Sequence, residues 1–345
     1  MVKSLAIKYR PKTWDDVTEQ SAVISILSNQ IRTGEFQHAY LFCGSAGTGK
    51  TTCARIFANE INKGSGNPIE MDAASKNGVD DVREIIQSAK LKSLDGEYKV
   101  FIIDECHAFS NNAWQAMLKI IEEPPAKSIF IFCTTDPQKI PKTIISRVQR
   151  YDFKRISQQG IVGRLHWILD SEGYNDIDKF VDTEPLEYIA KIADGGMRDA
   201  ITLLDKCLAY SSDLTIENVV KVLGTVDYDT MFRLTDYIID GESAEMIRII
   251  EALHSMGKDL KQFVKSYVQF LLDVNKYGVG CEWKYLQMPK LKEYETAIDN
   301  LCGDYEFSVC QKLLEIMLNL NADIKYSSTP KYDIEATLMI ACRKI

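Results

Sequence analysis

What the 345-residue chain lacks narrows its class before any motif is read. No apolar run approaches the ~18 residues that a membrane span needs, so a membrane protein is not expected. The first residues, MVKSLAIKYRPKTW, contain neither an apolar h-region nor a small-residue cleavage site, which argues against secretion. The nine cysteines form no Cys-x-x-Cys pair and do not alternate with the four histidines. That argues against a zinc module or disulfide framework and leaves reduced cytosolic thiols as the expectation. Basic residues are in the minority, 41 Lys and Arg against 49 Asp and Glu, for a net charge of −8. No global positive field draws in nucleic acid, and any such contact must come from a local track of cations. Internal repeats, low-complexity stretches and Pro/Gly/Ser linkers are all missing.

What is there is an ordinary globular composition, 46% apolar and 26% charged, with length for two or three domains. The first ~155 residues alternate short apolar runs with helical patterns. The runs are Ala39–Cys43, Pro68–Ala73, Val100–Asp104, Ile129–Thr135 and Arg150–Phe153. Helical stretches between successive strands predict a parallel α/β sheet covered on both faces. After Lys154 the strand-like runs vanish. Ile161–Leu169, Glu184–Ala193, Arg198–Ala209 and Ile216–Leu223 read as a small four-helix unit. From Val226 onward the helical pattern continues through Met231–Ile239, Ala244–Leu253, Leu260–Val274, Val309–Leu320 and Ile334–Cys342. The expected domains are therefore 1–155, 156–225 and 226–345.

Gly44-Ser45-Ala46-Gly47-Thr48-Gly49-Lys50-Thr51 satisfies GxxxxGK[ST] at every defined position. It follows the run Tyr40-Leu41-Phe42-Cys43 and opens a helix with apolar positions Cys53, Phe57 and Ile61. Strand before and helix after are the context that a phosphate-binding loop requires. Its glycines let backbone N–H groups converge on phosphates, and the helix N-terminus adds a favourable dipole. Lys50 is expected at the β- and γ-phosphates and the Thr51 hydroxyl on Mg2+, with Thr52 completing the loop.

A second buried run, Val100-Phe101-Ile102-Ile103, ends in Asp104-Glu105. Acids belong on a central parallel strand only where it emerges at its C-terminal edge. Asp104 is expected to hold the Mg2+ water shell, and Glu105 to orient and polarise an attacking water. Thr135, in Cys133-Thr134-Thr135-Asp136, can sense the γ-phosphate or position that water. Two arginines complete the set. Arg147 in Ser146-Arg147 precedes the fifth run, where a cation against the transferring phosphoryl group is needed. Arg198 opens a helix after Gly195-Gly196-Met197; a cation there opposes the helix dipole and is expected to serve an anion.

Taken together and in order, these motifs resemble the AAA+ clamp-loader ATPases, most closely the bacterial DNA polymerase III gamma/tau type. The resemblance rests on Lys8-Tyr9-Arg10-Pro11, the phosphate loop, Asp72-Ala73-Ala74-Ser75, Asp104-Glu105-Cys106-His107, Glu122-Glu123-Pro124-Pro125, Thr134-Thr135-Asp136-Pro137-Gln138-Lys139, Ser146-Arg147 and Gly195-Gly196-Met197-Arg198-Asp199. It runs over the first ~225 residues; beyond them only a helical pattern of suitable length for the family's collar remains. The resemblance implies an AAA+ ATPase domain, a helical lid and an all-α oligomerisation collar, with ATP and Mg2+ bound. It implies that Tyr9, Arg10, Pro11 and Val17 pack near the adenine. Thr135 takes the sensor-1 place, Arg147 the place of a finger acting in trans on a neighbour's nucleotide, and Arg198 the sensor-2 place. Valine 148 stands where the family has cysteine after that arginine. The implied partners are other loader subunits in a pentameric ring, a sliding clamp and primer-template DNA, in a bacterial or phage-infected cytoplasm. ATP binding would assemble the ring that opens the clamp, and hydrolysis on DNA would release it.

By motif position, Lys76, Arg83, Lys119 and Lys139 are the candidate DNA contacts, reading backbone shape and not sequence. One expected basic position is Gly78 instead, which thins the track. Clamp contact is expected between Val82 and Leu94. Bacterial gamma/tau subunits usually insert a four-cysteine zinc module after the loop helix, whereas Asn62-Lys63-Gly64-Ser65-Gly66-Asn67 passes straight to the next strand, so no zinc is expected. The chain also stops after the collar without the long tau tail, which suggests a viral, mobile-element or divergent bacterial source. Two alternatives stay open: a structural loader subunit that does not hydrolyse, and another AAA+ DNA motor such as a branch-migration helicase. A stator usually loses the loop lysine or the acid pair, and this chain keeps Lys50, Thr51, Asp104 and Glu105.

Overall fold

The computed structural model describes residues 4–65, 67–93, 96–174, 183–211, 213–223 and 228–344. The boundary expected at 225, Gly66 of the short link and Leu94 at the end of the expected clamp-contact region fall outside them. The chain divides into two compact units, Met1–Ala209 and Tyr210–Ile345.

The first unit runs α1 (Leu5–Lys8), α2 (Ser21–Thr33), β1 (Ala39–Cys43), α3 (Lys50–Ile61), β2 (Ile69–Asp72), α4 (Val79–Ala89), β3 (Lys99–Asp104), α5 (Asn111–Glu122), β4 (Ser128–Thr134), α6 (Lys142–Ile145), β5 (Gln149–Asp152), α7 (Gln158–Ser171), α8 (Glu184–Ile192) and α9 (Met197–Tyr210). The strands form one sheet in the order β2-β3-β4-β1-β5, and the pairings are parallel. Alternation along the pleat sorts side chains onto two faces. Tyr40 and Phe42 of β1 join Val100, Ile102, Ile129 and Ile131 under α2 and α3, packing on Leu27, Phe57 and Ile61. Leu41, Phe101, Ile103, Phe130 and Phe132 point the other way, onto Val82, Ile85, Trp114 and Met117 of α4 and α5. Because both faces are covered, β1, β3 and β4 read as unbroken apolar runs. Edge strand β2 is the exception: Ile69 and Glu70 are exposed, and Glu70 takes both Arg55 Nε and Nη2, at 2.7 and 2.5 Å.

Local signals start the helices. Ser110 and Ser157 cap α5 and α7 by accepting the N–H of Ala113 and Gly160. Gly49, at φ +100°, turns the chain from the phosphate loop into α3, a conformation that glycine adopts without strain.

The second unit is helical: α10 (Ile216–Leu223), α11 (Tyr228–Ile239), α12 (Ser243–Ser255), α13 (Leu260–Gly278), α14 (Lys292–Leu301), α15 (Asp304–Asp323) and α16 (Pro330–Lys344). Its core gathers Phe232, Phe263, Tyr267, Phe270, Leu313 and Leu338 around α13. The Asp273 carboxylate, fully buried there, accepts N–H bonds from Gln287 and Met288 at 2.7 and 2.8 Å, which ties the segment after α13 back onto that helix. Burial raises its pKa above the usual carboxylate value.

Candidate functional site

Strand order decides which motifs meet. With β3, β4 and β1 side by side, the C-terminal ends of all three open on one edge of the sheet. Asp104-Glu105 leaves β3, Thr134-Thr135 leaves β4, and the phosphate loop leaves β1. Gly44 N–H donates to Thr134 O at 3.2 Å, stitching loop to strand end.

Within the loop, Lys50 is buried, and its ammonium donates to the Gly44 and Ser45 carbonyls at 2.9 and 2.8 Å. Burial pushes its pKa below the usual lysine value. The Thr48 hydroxyl donates to Ser45 O at 2.9 Å, closing the loop on itself. The Thr51 hydroxyl donates to Asp104 Oδ2 at 2.8 Å, so a hydroxyl and a carboxylate sit together at the mouth of α3. Both are hard oxygen donors, the type that Mg2+ prefers, and two protein ligands leave room for water and phosphate oxygens. The residues therefore fit that ion.

Glu105 adopts φ +48°, in the left-handed region that a non-glycine residue occupies only when its surroundings enforce it. Its N–H donates to Asp104 Oδ1 at 3.0 Å. The Thr135 hydroxyl donates to Glu105 Oε2 at 3.0 Å, so the sensor-position threonine and the acid are in direct contact. Thr135 lies one residue past the end of β4.

A cavity of about 290 Å3 lies over this edge. Tyr9, Arg10, Pro11 and Val17 line it on one side, and Ala46, Gly47, Thr48, Gly49, Lys50, Thr51 and Thr52 form its floor. Asp104, Glu105 and Arg198 complete the predicted set. Gly44, Ser45, Thr135 and Arg147 do not line it; the first three sit directly behind it through the bonds described above.

The helices α7 and α9 close over the floor. Gly47, at φ +71°, lies so near Gly196 that an added Cβ would stand 2.9 Å from its Cα. Met197 N–H donates to Gly47 O at 3.0 Å. Arg198 follows at the start of α9, exposed, with no hydrogen-bond or ion-pair partner for its guanidinium among the described residues. The N-terminal segment is tied to these helices as well. Leu5 N–H donates to Asp205, Lys8 pairs with Glu172 at 2.7 Å, and Glu19 accepts Ser157 N–H at 3.1 Å.

Arg164 of α7 was not anticipated. Its guanidinium lines the cavity, donates to Tyr9 O at 3.2 Å and lies 4.1 Å from the Trp167 ring centre. Trp167 in turn meets the Tyr9 ring edge-on at 5.5 Å. Partial burial pulls the Arg164 pKa down, with Asp16 opposing. A single arginine on an amphipathic helix carries no motif, so its place at the site shows only in three dimensions.

Arg147 sits elsewhere in the unit. Its Nε pairs with Glu122 at 2.7 Å and its Nη1 donates to Thr143 O at 2.8 Å. Of the DNA candidates, Arg83 pairs with Asp80 at 2.7 Å and Lys139 with Asp136 at 3.3 Å, while Lys76 and Lys119 are exposed. All nine cysteines are free thiols, and among the described residues no group of three or more His, Cys, Asp or Glu side chains is placed to hold a metal. No described helix is long and apolar enough to cross a membrane.

Comparison with known proteins adds three consecutive family matches. Residues 68–157 match the DNA polymerase III delta subunit, residues 160–213 the ATPase lid domain of a DNA polymerase III clamp loader subunit, and residues 214–344 domain III of DNA polymerase III subunits gamma and tau. The tau subunit of Bacillus subtilis is 35% identical over 97% of this chain, which spans 62% of that relative's length. The gamma subunit of Buchnera aphidicola from Acyrthosiphon pisum is 29% identical, with 97% of each chain covered. Among solved structures, the RuvB branch migration motor of Thermotoga maritima superposes with a TM-score of 0.52 at 20% identity, over 73% of this chain and 86% of that one. At that identity the likeness speaks for the fold alone, a parallel sheet covered by helices with a helical region after it.

Proposed function

The chain belongs to the DNA polymerase III gamma/tau family of clamp-loader subunits, and from that premise we propose that it is a hydrolysing ATPase subunit of a sliding-clamp loader in DNA replication. The observation that carries the reading is the convergence of Lys50, Thr51, Asp104 and Glu105 on one cavity floor, with Thr135 bonded to Glu105 behind it. A stator subunit has no use for that set. The RuvB likeness does not favour a branch-migration motor, because it extends to fold and no further.

In this reading ATP lies with its base against Tyr9, Arg10, Pro11 and Val17 and its phosphates on residues 44–52. Lys50 leaves the Gly44 and Ser45 carbonyls to meet the β- and γ-phosphates. Thr51 and Asp104 would hold Mg2+, Asp104 partly through water, and the ion would supply neutralising positive charge for the phosphates. Glu105 orients a water and takes its proton as the oxygen attacks the γ-phosphorus; the bond to the β-phosphate oxygen breaks, leaving ADP and phosphate. Thr135 fixes Glu105, Arg198 meets the phosphates from the lid, and Arg147 serves the nucleotide of the next subunit. The partners are then other loader subunits in a ring, the clamp, and primer-template DNA met by Lys76, Arg83, Lys119 and Lys139. The setting is the bacterial or phage-infected cytoplasm.

Glu105→Gln tests the reading. It keeps shape and hydrogen bonding but cannot accept the proton. The variant should bind ATP as the parent does, lose hydrolysis by about 10²–10⁴-fold, and accumulate an ATP-loaded complex with clamp. Undiminished hydrolysis would assign the water to another group.

A further inference from the structure

The sequence draws attention to Asp104-Glu105-Cys106-His107 as a block, yet the reaction above uses only its first two members. The chain after β3 folds His107 back over Glu105. Glu105 takes its left-handed turn, Cys106–Ala108 forms a single 3-10 turn, and Cys106 plugs it into the core with no exposed surface. His107 Nδ1 then stands 3.2 Å from Glu105 Oε2 and hydrogen-bonds with Thr134 Oγ1, also at 3.2 Å. Thr134 Oγ1 accepts Asp136 N–H at 3.0 Å, which fixes the hydroxyl on the far side.

A carboxylate oxygen only accepts, so a bare lone pair on Nδ1 would repel it at this distance. A proton on Nδ1 makes the contact favourable. Glu105 Oε2 thus accepts the Thr135 hydroxyl and has the His107 Nδ1–H, itself hydrogen-bonded to Thr134 Oγ1, 3.2 Å away. Oε1 has no hydrogen-bond partner among the described residues, and Glu105 lines the cavity.

We propose that His107 is a positioning residue for Glu105: with Thr135 it pins one carboxylate oxygen so that the other is presented to the attacking water. Resting on the hydrolytic reading above, the proposal assigns a role to a side chain that does not line the cavity. A general base acts only if its oxygen is within hydrogen-bond reach of the proton it takes, so a freely rotating carboxylate wastes most of its encounters.

The test uses three substitutions in the full chain within its assembled complex, with ATP turnover measured against ATP concentration. Asn at 107 can place an amide N–H where Nδ1 stands, whereas Gln places it where Nε2 stands and Ala removes it. His107→Ala and His107→Gln should lower kcat roughly tenfold while leaving KM and ATP affinity within about twofold, and His107→Asn should recover most of the loss. In a Glu105→Gln background, His107→Ala should cost nothing further, because the group it positions no longer accepts a proton. Full activity in His107→Ala, an Asn variant no better than the Gln variant, or an undiminished effect in the Glu105→Gln background would each overturn the proposal. Should His107→Ala fail to fold, the Asn–Gln comparison still decides. Turnover that requires Glu105 but is indifferent to His107 sinks this inference alone, whereas absence of any Glu105-dependent turnover sinks the hydrolytic reading with it.

Discussion

The Thr51 hydroxyl donates to Asp104 Oδ2 across 2.8 Å, joining the first turn of α3 to the last residue of β3. The two oxygens proposed to hold one ion are thus held together by the hydrogen bond that the ion would replace. Thr51→Val keeps the shape and removes the oxygen. The variant should need roughly tenfold more Mg2+ for half-maximal turnover, in line with losing one ligand or its orientation, and Thr51→Ser should stay near the parent. A Mg2+ titration of ATPase rate checks this; coincident curves for the Val variant and the parent would place the ion elsewhere.

Lys50 gives a prediction of opposite sign for stability and for binding. Its ammonium is buried against two carbonyls and its pKa is lowered, chiefly by burial. A lysine whose folded pKa lies below its unfolded value opposes folding while both states are charged. That cost fades as pH rises through the lowered value toward the ordinary lysine value of 10.5. Lys50→Met should therefore melt at the same temperature as the parent or higher at neutral pH without nucleotide, with the advantage shrinking in alkali. Saturating ATP should stabilise the parent by about 2.7 kcal/mol at a hundredfold excess over Kd, and the variant not at all. A clearly lower melting temperature for the apo variant would mean that the two carbonyl bonds outweigh the desolvation.

The contact between Gly47 and Gly196 makes a third prediction. Position 47 is a free position of the phosphate-loop motif, so the motif does not demand its glycine. The structure does: φ is +71° there, and a Cβ would stand 2.9 Å from the Gly196 Cα. Gly47→Ala should cost about 1–3 kcal/mol from backbone strain, push α9 off the loop and weaken ATP binding. At Gly196 an added Cβ meets mainly the movable Asp199 carboxylate at 2.9 Å, with Ala193 O and Ala46 O at 3.2 and 3.3 Å. Gly196→Ala should be the milder change. Denaturant melts of the two variants check the order.

How much of this was legible in the sequence follows from which physical signals are local. Strands β1, β3 and β4 were readable because a sheet buried on both faces leaves unbroken apolar runs, and the loop because its glycine and lysine spacing is set by phosphate geometry. Asp104 and Glu105 were readable because charge at the end of such a run has few explanations. α14 was missed: Tyr294, Ile298 and Leu301 are its buried residues, too few to stand out among its charged neighbours. Arg164, and the contact between Gly47 and Gly196, were missed because nothing in either stretch of chain names its partner. Their roles arise from segments more than a hundred residues apart, and no periodicity records that. His107 was visible within its block, but its reach back to Glu105 depends on the left-handed turn between them.

Arg147 carries the last prediction. In its own subunit it does not line the cavity; it pairs with Glu122 and the Thr143 carbonyl instead. The side chains of Arg147 and Glu122 are 40% and 48% exposed, and a pair that open to water contributes only about 0–1 kcal/mol. In the proposed ring the guanidinium can therefore leave Glu122 at little cost for the phosphate of a neighbouring subunit. Arg147→Ala should bind ATP with near-parent affinity as an isolated chain, yet hydrolyse poorly once assembled. Loss of a finger typically lowers the rate by roughly 10³–10⁵, diluted where other interfaces keep theirs. Mixing sharpens the test. When Arg147→Ala subunits are assembled with Glu105→Gln subunits, only an interface pairing an intact Glu105 with an intact neighbouring Arg147 can turn over. Such interfaces form when the Arg147→Ala subunit supplies the nucleotide site and the Glu105→Gln subunit supplies the arginine. The mixed assembly should then exceed either variant assembled alone, a complementation that a cis-acting arginine cannot produce. If the mixture is no more active than its parts, or if Arg147→Ala loses ATP binding as an isolated chain, the arginine serves its own nucleotide and the trans assignment fails.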